Sequence, residues 1–291
     1  MALLSALLLA ALCPGQPAQE PAAEAAPPAI QVAVDPRVEL LSIVFRLAGN
    51  PEYQRQEFRR YAAAIERHFG GFRDHPAVVE ARRLRATRGV SYDAVMSLAV
   101  HLDGVPLLRP RLRFEDSLLE SRWRPEEARA FLGLLRSFVE DTGFEAFLAG
   151  KAELYALAEW RMRRLIEEEV ELDWFEGFFG AAPEASFHVL IGLGNGPSNY
   201  GPKFRGADGA EQLYAVLGTW LLDEEGDPLF DESLVGTLVH EFNHSFVNHH
   251  VYAHEAELRA AGERLYPLVE QAMRRQAYGS WQTMMHESLV R

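Results

Sequence analysis

Cysteine is nearly absent from this 291-residue chain: Cys13 is the only one. One thiol excludes an intrachain disulfide framework and any zinc site built on several thiolates of one chain. A metal centre here must be assembled from imidazole and carboxylate. Positive charge is also scarce. Lys and Arg number 29 against 42 Asp and Glu, a formal net charge of −13. There is no Lys/Arg-rich tract and no aromatic–basic stacking platform, which argues against general affinity for nucleic acid or anionic membrane. No run after the N-terminus is long and apolar enough to span a bilayer. What is present is the ordinary apolar and charged content of a globular protein, in a chain long enough to bury a large core.

The first residues differ in kind. Met1–Leu12 (MALLSALLLAAL) is a short apolar run, followed by a Pro/Ala/Gln/Glu stretch from Pro14 to Pro28. Residues 1–28 read as a signal peptide and flexible linker, although no Lys or Arg precedes the apolar run. The expected location is periplasmic or extracellular. A lipid anchor at Cys13 is disfavoured, because Leu12 stands where a lipoprotein signal carries a small residue.

Two regions follow, expected to form one compact unit: a helical scaffold over 29–175 and a catalytic region over 176–291. In the scaffold, Asn50-Pro51 opens a helix carrying Tyr53, Phe58, Tyr61, Ile65 and Phe69, closed by Gly70-Gly71. Pro76, Ser91 and Pro125 mark further starts. A long helix is expected from Phe144 past Ile166, with Phe147, Leu148, Tyr155, Trp160 and Leu165 as its apolar members. Glu167-Glu168-Glu169 reads as a solvated face. No residue of this half stands out chemically, and His68, His75 and His101 read as isolated surface or hydrogen-bonded histidines. Near Pro183 the pattern changes. Ser186–Leu193 and Glu211–Leu222 have strand character, Gly194–Pro202 between them is a loop, and Asp223–Pro228 is a turn. The fold class is therefore α+β: a mostly helical N-terminal part, a small sheet, a motif-bearing helix and a C-terminal helix.

The chemistry concentrates in His240-Glu241-Phe242-Asn243-His244, an H-E-x-x-H sequence. Residues four apart lie one above the other on an α-helix, so His240 and His244 can grip a single ion. Glu241, one step round, can reach water beside that ion without ligating it. Asp231 is the expected N-cap. Leu234, Val235, Leu238, Val239, Phe242 and Phe246 recur on the face away from the histidines. A hydrolytic zinc needs a third protein ligand, and two candidates stand open. His250 lies ten residues after His240, the spacing of a longer zincin signature, but the glycine that breaks the helix in that signature is Val247 here. His249 and His254 have no better claim. Glu287 lies 43 residues after His244 on an expected second helix, in competition with Glu255, Glu257, Glu263 and Glu270.

His240 to His244 with a glutamate on a later helix resembles the gluzincin branch of the zincin metallopeptidases. Val34–Leu41 (VDPRVELL), Leu238–Asn248 (LVHEFNHSFVN) and His286–Arg291 (HESLVR) together resemble a family of uncharacterised, exported bacterial proteins with a zincin-like site. The resemblance implies a zincin α+β fold, one Zn²⁺, peptide or protein substrates, His240, His244 and Glu287 as ligands, and Glu241 as the catalytic carboxylate. Gluzincins often place an Asp four residues after the ligand glutamate, and Arg291 occupies that position here. The chain also stops there, within an apolar helix, and is expected to be a piece of something longer.

The expected reaction is peptide-bond hydrolysis by a zinc-activated water with Glu241 as general base, and with Tyr200, Tyr278 or His286 as candidate oxyanion donors. Two other readings share these residues: a zinc hydrolase of a non-peptide amide or ester, and a degenerate zincin that holds metal without turnover. The Asn199–Pro202 loop is a candidate lining of the substrate groove.

Overall fold

A computed structural model describes residues 30–55, 57–170, 185–275 and 278–290. The signal peptide and linker expected over 1–28, and the boundary expected at 175/176, lie outside the described residues. Chain order begins with a short strand, β1 (Gln31–Val34), where sequence reading placed none. Helix α1 (Pro36–Leu47) follows. The Asp35 carboxylate accepts from Arg37 N at 2.8 Å, and Pro36 occupies the first turn, where its missing N–H costs nothing. The body of α1 is buried on every side, as its sequence VELLSIVF requires of a helix without a polar face.

The single helix expected from Pro51 to Phe69 is instead two, α2 (Pro51–Gln54) and α3 (Arg59–Phe69). The reason lies in the spacing. Tyr61, Ile65 and Phe69 step by four, but Tyr53 to Phe58 is a five-residue step that would rotate one ring off the buried stripe. Breaking the helix lets both Tyr53 and Phe58 be fully buried. Helices α4 (Pro76–Arg88), α5 (Asp93–Val100) and α6 (Pro125–Thr142) start at or near the expected prolines and serine. The long helix expected from Phe144 breaks at Gly150-Lys151 into α7 (Phe144–Ala149) and α8 (Ala152–Glu169). The break turns Phe147 onto Phe69, ring centroids 4.9 Å apart, while Trp160 is left 52% exposed under Arg164. The three scaffold histidines each hold a hydrogen bond: His68 with the distant Thr142 O, His75 Nδ1 accepting from Ala77 N, and His101 with Ser97 O.

Strands β2 (Ala185–Gly192), β3 (Lys203–Arg205) and β4 (Glu211–Gly218) complete a sheet of order β1-β2-β4-β3. β2 runs parallel to both β1 and β4, and β3 pairs antiparallel with β4. Phe187, Val189, Leu190 and Ile191 are buried on both faces of β2, the pattern of a covered parallel strand. The second apolar run ends as a strand at Gly218, earlier than expected. A side chain there would overlap the Gly196 carbonyl oxygen, to which Thr219 N donates at 2.9 Å. Leu221–Leu222 and Pro228–Leu229 then form a small hairpin around the expected turn. Because β1 joins the same sheet, one core runs from Val32 through the helices to Phe242, so the two regions expected from sequence share it. The fold class is α+β, as expected. No described helix is long and apolar enough to cross a membrane.

One carboxylate lies inside this core. Glu39 on α1 is fully buried, accepting from Tyr61 Oη at 2.6 Å and Gly194 N at 3.2 Å. Burial pushes its pKa up to about 7, against the opposing pull of these donors. Between the ordinary carboxylate value and 7 the folded chain holds a proton that the unfolded chain has released. Stability therefore falls as pH rises through that window. Glu39→Gln is expected to flatten the fall by about 2–3 kcal/mol between pH 5 and pH 8. Denaturant titrations of both proteins at the two pH values measure it, and equal slopes with pH would refute it.

Candidate metal and catalytic site

The motif lies on α9 (Ser233–Ala253), a continuous 21-residue helix. Asp231 Oδ1 accepts from Ser233 N at 3.1 Å, so the expected capping residue does hold the first turn. Leu234, Leu238 and Phe242, four residues apart, bury one face. Phe242 meets Phe187 of the sheet edge-on at 4.9 Å. That anchoring turns His240 away from the core and leaves Glu241 on the flank of the buried face, beside Leu234.

Helix α10 (Glu255–Arg275) doubles back, and α11 (Trp281–Leu289) is capped by Ser280, whose Oγ accepts from Thr283 N at 3.1 Å. Trp281 lies flat against Gly262 of α10, where any side chain would strike the indole ring. Thus held, α11 packs on α9. Asn243 Nδ2 donates to Val290 O at 3.1 Å in a buried contact, and His240 Nε2 stands 3.4 Å from Glu287 Oε2. A step of three residues along each helix leads from one contact to the other, so the hydrogen bond sets the register of the acid–imidazole pair.

Glu241 is the third member. Its carboxylate rests on the backbone of Gly201, where a Cβ would come within 2.7 Å of Oε2. Its pKa is raised to about 7: burial is the main cause, His240 pulls it back and Glu287 pushes it up. The structure thus brings together His240, Glu241 and Glu287 from the sequence-predicted set. The His244 side chain lies outside the described residues, and its backbone sits one turn after His240 on the same helix.

His240 and Glu287 are the donor types a zinc ion takes, and their spacing is compatible with one. Two ligands at the usual zinc bond lengths in a tetrahedral shell stand about 3.3–3.5 Å apart, the separation His240 and Glu287 already have. Among the described residues no group of three His, Cys, Asp or Glu side chains gathers as a potential metal site. Because α9 continues unbroken past Val247, position 250 is rotated by about 280° from position 240. The competing acids pair locally: Glu255, Glu263 and Glu270 with arginines on their own helix, and Glu257 with His254. Tyr200 is buried, and its hydroxyl is pushed well above the usual tyrosine range by burial, with Glu52 and Asp93 of the scaffold adding to the shift. Its neighbour Gly201 touches Glu241. Sequence reading missed three features here: the Gly201 contact, the Asn243 tie and Glu39. Only Glu39 left a signal, a lone acid inside an apolar helix.

These elements define an α+β protein with an acid–imidazole centre on two packed helices beside a small sheet. Residues 30–291 match a family described as a domain of unknown function (DUF4932), and the chain belongs to it. No curated protein and no solved structure matches the chain.

Proposed function

We propose that this chain is an exported zinc-dependent peptidase in which His240, His244 and Glu287 hold one Zn²⁺ and Glu241 is the general base. The observation that carries the reading is the 3.4 Å approach of Glu287 to His240 beside a partly buried Glu241. Bound there, zinc supplies Lewis acidity, lowering the pKa of water and polarising a carbonyl.

The protein's own groups do the rest. Glu241 accepts a proton from water and delivers it to the departing amine, two transfers that one positioned carboxylate can make in turn. Gly201 lets that carboxylate lie against the backbone, which limits its freedom before reaction. A site that only held metal would have no use for Glu241, whose burial costs free energy.

The test is cleavage of a broad peptide library by purified protein, with chelator and with zinc restored. Zinc-dependent peptide cleavage is expected. Turnover of esters or non-peptide amides alone would reassign the substrate class, and metal binding without any turnover would make the site a holding site. Gly201→Ala supplies a second check. The added methyl must displace the Glu241 carboxylate, so kcat is expected to fall about 10–100-fold with one zinc per chain retained. Unchanged turnover would mean that the contact has no part in catalysis.

A further inference from the structure

The loop that ends on Glu241 begins on the scaffold. Residues 193–201 leave the C-terminal end of β2, and almost every turn of the segment is fastened. Gly194 N donates to Glu39 Oε1 at 3.2 Å, and a Cβ at Gly194 would crowd Glu39 Oε2 and Ser42 Cβ. Gly196 has φ +65° and lies so close to the Arg55 carbonyl that a side chain would overlap it. Asn195 Nδ2 holds Ser198 O at 2.7 Å, and Asn199 Oδ1 accepts from Gly218 N at 3.0 Å. Tyr200 exchanges two backbone hydrogen bonds with Val216, and the next residue, Gly201, carries the Glu241 carboxylate. At the scaffold end the fastening is a fully buried carboxylate, kept in place by Tyr61 Oη at 2.6 Å, itself 2.7 Å from Tyr155 Oη. An acid in a core costs free energy that an apolar residue would not, and no ion pair with Glu39 offsets that cost among the described residues.

We infer that Glu39 is a positioning residue for the catalytic site: its carboxylate anchors the 193–201 loop to the helical scaffold, and the loop in turn sets where Glu241 stands. The effect on turnover rests on Glu241 being the base, while the anchoring itself does not. Glu39 touches no reacting atom, and its task is to accept the Gly194 N–H. An uncharged acceptor of the same shape should therefore serve, and an apolar residue should not.

The experiment compares Glu39→Leu with Glu39→Gln in the whole chain. Hydrogen exchange is read at Gly194, Tyr200 and Thr219, together with zinc content, kcat, KM and Tm. In Glu39→Leu those amides are expected to exchange about 10-fold faster and kcat to fall about 10–100-fold. KM, zinc content and Tm should stay close to wild type. Glu39→Gln should restore both exchange and kcat. A purely structural role would instead lower Tm and raise exchange throughout the core. That result, or wild-type loop exchange in Glu39→Leu, overturns the inference. If Glu39→Leu does not fold, Tyr61→Phe takes its place: faster exchange at Gly194 supports the anchor, and unchanged exchange refutes it. If wild-type protein hydrolyses nothing, the peptidase reading fails while the exchange measurements still decide the anchor.

Discussion

Glu241→Gln is expected to lower kcat by about 10³-fold, within the range lost with a general base, while one zinc per chain stays bound. Gln has the shape of Glu and keeps the contact with Gly201, but it cannot take a proton from water. The change leaves the His240 and Glu287 side chains in place, so metal retention separates loss of the base from loss of the centre. Replacing a largely buried acid by its uncharged isostere should leave thermal stability equal or higher. Elemental analysis and steady-state hydrolysis on the same preparation measure both effects. A variant as active as wild type would remove Glu241 from the mechanism.

Glu287→Ala is expected to weaken zinc binding more than the roughly 10–100-fold that loss of an outer-shell partner costs. The comparison is His250→Ala, which should bind zinc as wild type does because α9 does not break at Val247 to redirect that position. Competition with a chromophoric chelator gives both affinities, and circular dichroism shows whether α11 persists. Asn243 is a useful intermediate. It contacts Val290 and so holds α11 in register, and Asn243→Ala should weaken zinc binding by about 10-fold with every ligand present. If His250→Ala strips the metal and Glu287→Ala does not, the ligand set proposed here is wrong.

Much of this centre was legible before any coordinates. H-E-x-x-H, the cap at Asp231 and the four-residue spacing of Leu234, Leu238 and Phe242 are local patterns, and a helix converts them into geometry by its own repeat. The α+β class was legible for the same reason, since the apolar period changes near residue 185. Helix ends were read less well. Those at Gln54–Arg59 and Ala149–Ala152 are set by which rings reach the core: Tyr53 and Phe58 in one case, Phe147 against Phe69 in the other. β1 was invisible because four residues carry almost no periodic signal. It is a strand only because β2, more than 150 residues later, lies beside it.

By itself, the sequence determined that any metal here must be held by imidazole and acid, that two histidines share one face of a helix, and that a glutamate sits between them. These follow from composition and from a repeat that operates within a single turn. Only the tertiary structure decided which distant acid comes to His240, and that a glycine with no motif of its own supports Glu241. It also decided that a glutamate in the scaffold holds the loop between them. Each of these depends on contacts between segments far apart in the chain, where packing and burial select the partner and no local spacing can encode it.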